Sequence, residues 1–372
     1  MANICFGLSG EGRGHATRVK TLVDDLRLRH SISIYTSGMA YDFLHGAYAD
    51  SDVEVNLIPG LRFHYKQSNK ISYFSSGIEA ITYIAKLRKT VEKTHRSLER
   101  AQPDMILTDF EPLLPRAAKK MGLPYVSLNH QHFLLTYDLT SLPIALQRHA
   151  AFMSRVVKTY YQEQIHTIVS SFYFPPLRKG ITGVTQIGVL LTSEIIEAIP
   201  EDREHIVVYL RRFEAPKVLE ALTKVGRQAY VYGLGEHPSI GNIKFCKIDP
   251  KAFVEHLSTA CLLVSTAGNQ LIGEALYLNK PVLAMPEVSN YEQAINAHFL
   301  EKSGAGRQVQ LDLITRRDIT TILDNPDQFT RHIDRGRLKG NDIAIEFIEN
   351  YLSQKETGAM LNQCRQIGAH IE

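Results

Sequence analysis

Short apolar runs alternate with stretches of helical period along almost the whole chain, and this alternation restricts the fold more than any other feature. The first run, NICFGLS at residues 3–9, passes through a glycine turn into HATRVKTLVDDLRLR, where Val19, Leu22, Val23 and Leu26 fall at helical spacing. SISIYTSG, VEVNLIPG, DMILTDF, PYVSLNH and HTIVSSFY continue the strands, with helical stretches such as PLLPRAAKKMG between them. Strand–helix units of roughly 25–35 residues need crossover connections, and crossovers make a parallel sheet. The pattern pauses at FPPLRKGITG, residues 174–183, which reads as an interdomain linker, and then begins again with HIVVYL, QAYVYG, NIKFCKID, CLLVSTAGN and PVLAMPE. The prediction is an α/β protein of two Rossmann-like domains in tandem, at residues 1–178 and 187–340, with 341–372 a helix and tail packing back on the first domain. A length of 372 residues suits two cores better than one.

Composition narrows the function classes. No apolar run approaches the ~20 residues of a membrane span, and MANICFGLSGEG is not a signal peptide. The cysteines Cys5, Cys246, Cys261 and Cys364 have no metal or redox spacing, so a reduced, cytoplasmic protein is expected. The net charge of +3 is unevenly divided: residues 1–190 hold 22 Lys and Arg against 15 Asp and Glu, the remainder 20 against 24. A first half at +7 points to an anionic partner, such as a phosphorylated acceptor or the inner face of a membrane, or else to an uneven solvated surface. Positive charge is not interleaved with aromatics in a nucleic-acid module, so that partner is not expected.

The turn GEGRGH delivers a strand to a helix N-terminus, which is an anion site in waiting: glycines at Gly12 and Gly14 admit a phosphate, and free N–H groups and the helix dipole favour it. The spacing is G-x-G-x-G, without the acidic residue of a dinucleotide fingerprint, and no P-loop string is present. A plain tight turn explains the glycines but not His15.

A second dense stretch runs from Leu262 to Gly306. STAGN closes a strand and opens a helix, placing Thr266 beside Gly268, Asn269 and Gln270, whose backbone could bind a diphosphate. Glu274 lies within that helix, where a carboxylate could take both hydroxyls of a ribose, or simply face solvent. Glu292 and Gln293 open the following helix and could hold sugar hydroxyls.

With the Gly268-to-Glu274 spacing and the Glu-Gln-x-x-Asn-Ala run at Glu292–Ala297, this stretch resembles the donor-binding motif of GT-B glycosyltransferases, most closely glycosyltransferase family 28. GEGRGH resembles that family's N-terminal glycine loop, and NHQH at Asn129–His132 sits where the family keeps a polar acceptor-facing cluster. The resemblance covers roughly residues 1–350 and implies two domains facing across a cleft, the first for the acceptor and the second for a nucleotide sugar, with a UDP-sugar the expected co-substrate and no cofactor or metal. It departs at the start of the second domain, where YLRRFEA replaces a glycine-rich loop; Arg211 or Arg212 could neutralise the diphosphate there.

Transfer needs a base for the acceptor hydroxyl and stabilisation of the departing diphosphate. His15 is the first candidate base, with a capping or phosphate-orienting role as its alternative. Asp109, ending MILTD, is the competing base, or an N-cap. Glu11, Asn129 and His130 are acceptor-side candidates, the last two with a structural alternative of satisfying buried loop backbone. The basic amphipathic stretches at 81–100 and 142–161 could rest on anionic lipid or pack into the core. The reading is therefore a hexosyltransferase, of the inverting kind the resemblance implies, acting on a glycan or lipid-linked hydroxyl. Its rivals are a UDP-N-acetylglucosamine 2-epimerase and a non-catalytic nucleotide-sugar-binding protein.

Overall fold

The computed structural model describes residues 1–10, 13–60, 73–160, 163–210 and 215–356. Of the residues singled out above, Glu11, Gly12, Arg211, Arg212 and Cys364 lie outside the described residues.

Strands β1 (Asn3–Leu8), β2 (Ser31–Thr36), β3 (Glu54–Leu57), β4 (Met105–Asp109), β5 (Val126–Asn129), β6 (His166–Ser170) and β7 (Val184–Ile187) form a sheet in the order β3-β2-β1-β4-β5-β6-β7. Strands β8 (Ile206–Tyr209), β9 (Ala229–Tyr232), β10 (Ile243–Cys246), β11 (Leu262–Ser265), β12 (Val282–Ala284) and β13 (Gly306–Gln308) form a second, β10-β9-β8-β11-β12-β13. Neighbouring strands pair parallel in both sheets. The central strands carry near-continuous apolar runs because helices cover both faces: MILTD in β4 and LLVS in β11 are buried from end to end. In both sheets the strand order reverses once, between β1 and β4 and between β8 and β11. The crevice beyond the carboxyl ends of the strands at such a reversal is where open parallel sheets bind ligands.

The proline- and glycine-rich segment 174–183 differs from its expected role. It joins β6 to β7 within the first sheet. Strand β7, VTQI, is a partly exposed edge strand whose Thr and Gln hide it from an apolar-run reading. The chain crosses to the second domain just after it, at Gly188, and returns at Gly340. A Cβ on Gly188 would lie 2.2 Å from the Leu338 carbonyl oxygen, and one on Gly340 2.2 Å from the Gly188 oxygen, so both crossings need glycine to run this close. Asn341 clamps them, its Oδ1 accepting from Leu191 N at 2.9 Å and its Nδ2 donating to Leu191 O at 2.8 Å.

After this clamp the Asn341–Glu356 helix lies on the first domain, adding Ala344, Ile348, Tyr351 and Leu352 to a core that contains Ile4, Leu22 and Ile34. A second apolar cluster lies wholly in the later domain, and a third is shared, joining Phe133 and Val169 to Ile272, Ile295 and Leu300. The domain junction is thus packed as well as hydrogen-bonded.

Candidate functional site

At the first reversal, register sets the chemistry. Leu8 pairs with Asp109, so the carboxylate ending β4 stands beside the turn that follows β1. The Arg13–Leu26 helix begins there, and residues three apart on it share a face, which brings His15 and Arg18 to the same carboxylate. His15 Nδ1 lies 2.9 Å from Asp109 Oδ1. Arg18 grips Asp109 with both arms of its guanidinium, Nε to Oδ2 and Nη2 to Oδ1, each at 2.9 Å. Arg18 Nη2 also lies 3.0 Å from His15 Nδ1, so a proton on that nitrogen would serve the carboxylate and a lone pair there the guanidinium; Nε2 makes no hydrogen bond among the described residues. The Asp109 side chain is 2 % exposed and that of His15 16 %, so the dyad is anchored in the core and opens at the imidazole. Burial pushes the Asp109 carboxyl up, but Arg18 and then His15 outweigh it and hold the group below the ordinary carboxylate value.

The backbone turns sharply past Asp109. Phe110 takes a φ of 54°, and its ring stacks on Tyr160 at 4.7 Å and lies parallel to His15 at 6.4 Å. Glu111 points back inward and accepts from Leu113 N at 2.6 Å and Leu114 N at 2.8 Å, capping the helix Leu113–Met121. Burial pushes its carboxyl up to about 7. A narrow cavity of about 30 Å³ beside it is lined by Gly10, Ser37, Glu111 and Tyr160.

At the second reversal, Thr266 and Gly268 follow β11 and the helix Asn269–Tyr277 opens without a side-chain cap. The first N–H groups of a helix have no intrahelical partner, and without a side-chain cap they remain free to hold an anion. Ser265 Oγ and Gln270 Oε1 are buried beside it with no hydrogen-bond partner, polar atoms that a ligand could satisfy. Gln270 Nε2 donates to Leu190 O at 2.8 Å and to Glu274 Oε1 at 2.9 Å. Glu274 is partly exposed, and burial of its carboxyl pushes it up to about 7. Gly273 permits the helix to approach the hinge: a Cβ there would sit 2.5 Å from Val189 Cγ1.

Of the other candidates, His130, Asn269 and Glu292 bond across the two domains, and Asn129 and Gln293 within their own. Asn129 is buried, its Oδ1 accepting from His132 N at 2.9 Å and its Nδ2 donating to Ser127 Oγ at 2.8 Å. His130 bridges the domains, with Nδ1 3.1 Å from Ser170 O and Nε2 3.1 Å from Asn296 Oδ1. The Asn269 side chain reaches the first domain at Phe172 N, 3.3 Å, and Ser170 O, 3.2 Å, leaving its backbone N–H for the crevice. Glu292 receives Gln131 Nε2 from the first domain at 3.4 Å, while Gln293 turns back to accept from Glu287 N at 2.8 Å. Burial, then the opposing charges of Glu292 and Arg18, act on His130 and leave it less basic than ordinary imidazole. The field of Arg18 from one domain and Glu292 from the other therefore converges on this histidine.

Sequence reasoning missed Arg18, Glu111 and Asn296. Arg18 had one legible signal, its place one helical turn after His15. Gly14, within the same helix, meets nothing within 4 Å of where a Cβ would stand.

The sequence model of glycosyl transferase family 1 matches residues 2–326, and the chain belongs to that family. It is 23 % identical over 336 residues to an uncharacterized glycosyltransferase of Methanosarcina mazei, covering 82 % of this chain and 85 % of that one. A shorter match, 26 % over 110 residues, 27 % of this chain and 31 % of the other, is to the UDP-N-acetylglucosamine–N-acetylmuramyl-(pentapeptide) pyrophosphoryl-undecaprenol N-acetylglucosamine transferase of Streptococcus uberis. Among solved structures, the calicheamicin glycosyltransferase CalG4 superposes with a TM-score of 0.68 at 17 % identity, over 95 % of this chain and 99 % of that one. The Streptomyces glycosyltransferase SsfS6, complexed with thymidine diphosphate, gives 0.60 at 15 %, over 94 % and 100 %. The fold is GT-B, and the chain is a glycosyltransferase resembling family 28.

Proposed function

We propose that this GT-B glycosyltransferase moves a hexose from a UDP-sugar to a hydroxyl of a glycan or lipid-linked acceptor, with inversion at the anomeric carbon and no bound cation. The observation that carries the reading is the His15–Asp109 pair at one strand reversal, together with an uncapped helix N-terminus at the other. In this account His15 Nε2 takes the acceptor's hydroxyl proton and Asp109 stabilises the imidazolium. The acceptor oxygen bonds to the anomeric carbon as the bond to the diphosphate breaks, and the electron pair leaves with the phosphate oxygen. Gly268 N donates to Thr266 O at 2.6 Å, so the backbone N–H groups of Asn269 and Gln270, with the dipole of their helix, receive that charge in place of a metal. Glu274 takes the ribose hydroxyls.

UDP is favoured by the name of the Streptococcus relative, and thymidine diphosphate, bound in SsfS6, is the rival nucleotide. A lipid-linked acceptor draws on that same name and on the helix Ile144–Tyr160, where Ile144 and Phe152 are exposed at 66 % and 58 % among Arg148, Arg155 and Lys158.

The test is nucleotide release from a panel of UDP- and dTDP-hexoses with an acceptor mixture. His15→Gln should lower kcat by about 10²–10⁴-fold with little change in donor KM, the usual range for losing a general base. Undiminished kcat in His15→Gln would remove the base assignment. A wild-type protein that binds the donor but never releases nucleotide would be a binding protein instead.

A further inference from the structure

A cavity lined by residues of both domains contains none of the candidate site residues. Its volume is about 580 Å³, the size of a small-molecule site. It is lined by the loop after β6, Phe172 to Pro176, by Phe299 and the end of the Tyr291–Ser303 helix, and by residues of the short helix Arg335–Leu338.

The charges are unevenly satisfied. The two lining carboxylates accept from neutral neighbouring groups: Asp138 Oδ1 from Thr140 N at 2.9 Å and Thr140 Oγ1 at 2.7 Å, and Asp334 Oδ1 from Arg337 N at 3.3 Å. The cations Lys302 and Arg337 form no ion pair among the described residues, and the Arg337 guanidinium lies 4.1 Å over the Phe174 ring. The Arg337 guanidinium on the Phe174 face, with Lys302 also in the lining, suits a flat organic anion whose ring lies against an aromatic face while its charge meets the guanidinium.

The same lining is wired to the donor crevice. Phe172 N donates to Asn269 Oδ1, at the first residue of the uncapped helix, at 3.3 Å. Tyr173 OH donates to Asn296 Oδ1 at 3.1 Å, and Asn296 Nδ2 to Ala267 O at 3.0 Å, within the STAGN turn. Tyr173 also stacks on Phe299 at 4.3 Å. A molecule that shifts the Phe172–Tyr173 segment therefore shifts the partners of the donor turn, a differential contact of the kind coupling requires.

We infer that this cavity is a second ligand site, taking an aromatic carboxylate, sulfonate or phosphate, and that its occupancy alters nucleotide affinity across the junction. The coupling rests on the donor-site reading above; the binding does not.

The full chain is titrated with 8-anilinonaphthalene-1-sulfonate, an aromatic anion whose fluorescence reports its own binding. The expected result is one saturable site per chain. Arg337→Glu and Ser303→Trp, two substitutions at exposed lining positions, should each weaken it at least about tenfold, the scale of one lost charge-assisted contact. Glu274→Gln should leave it unchanged. An unchanged Kd in either lining variant, non-saturable binding, or loss of binding in Glu274→Gln overturns the site. UDP affinity is then measured with and without saturating probe. A change of about threefold or more supports coupling, and equal affinity overturns it. If UDP does not bind at all, the donor reading and the coupling fall together, while the probe titration still decides the cavity.

Discussion

Arg18 and Asp109 form an ion pair whose side chains are 5 % and 2 % exposed, and such a pair is worth most through what its breakage leaves behind. Removing the guanidinium strands a buried carboxylate with only His15 beside it. Arg18→Met should cost about 3–5 kcal/mol of unfolding free energy in urea. Arg18→Met with Asp109→Asn should recover much of that loss, because the stranded charge goes as well; a double variant no more stable than the single would contradict the account. Glu274 gives a second residue-scale prediction, with a sign fixed by its direction of shift. A carboxyl pushed up to about 7 keeps in the folded chain a proton that the unfolded chain releases near pH 4.3, so its contribution is complete below that value and is lost as pH rises through about 7. Glu274→Gln should therefore leave the unfolding free energy in urea near wild type at pH 5 and raise it at pH 8 by about 1–2 kcal/mol after allowing for its partial exposure. An equal effect at both pH values would remove the carboxyl as its source. His15 and Glu274 were visible in the sequence because each sits in a dense motif. Arg18 was not, because its meaning depends on Asp109, 91 positions away, arriving through strand pairing.

Among elements, the helix Asn269–Tyr277 depends on Gly273. Alanine there would gain helix propensity of about 1 kcal/mol. Its Cβ would meet the buried, β-branched Val189 side chain at 2.5 Å, however, and the helix would have to leave the hinge. Gly273→Ala should be destabilising by about 1–3 kcal/mol, read from denaturant unfolding, and should weaken nucleotide binding as well; a stabilised variant would show that the contact yields freely. The central strands were legible because a parallel strand covered on both faces is an unbroken apolar run, as in ILT of β4 or LLV of β11. The edge strand β7 was not, since half-exposed VTQI beside a proline-rich segment looks like loop. The interdomain asparagines were unreadable for a related reason: Asn269 and Asn296 occur inside motif strings, and only the packed junction shows their side chains spent on the other domain.

For the whole molecule, paired crossings at Gly188 and Gly340 and the His130–Asn296 bridge join two sheets, each with one reversal of strand order. The excess positive charge of residues 1–190 and the exposed Ile144 and Phe152 belong to this scale too. Co-sedimentation with anionic phosphatidylglycerol vesicles should fall with rising salt and drop further in Phe152→Glu; equal pelleting with neutral vesicles would contradict a charge-led contact. No helix among the described residues is long and apolar enough to cross a membrane. The central claim is that the β11 turn and its helix bind a uridine diphosphate. Its most direct test is the thermal unfolding midpoint with UDP, dTDP, GDP and ADP in turn, on wild type and Glu274→Ala. UDP at 100 times its dissociation constant should stabilise the wild type by about 2.7 kcal/mol, with the other nucleotides weaker and the effect lost in the variant. No stabilisation by any of the four, or equal stabilisation of Glu274→Ala, would contradict the donor site.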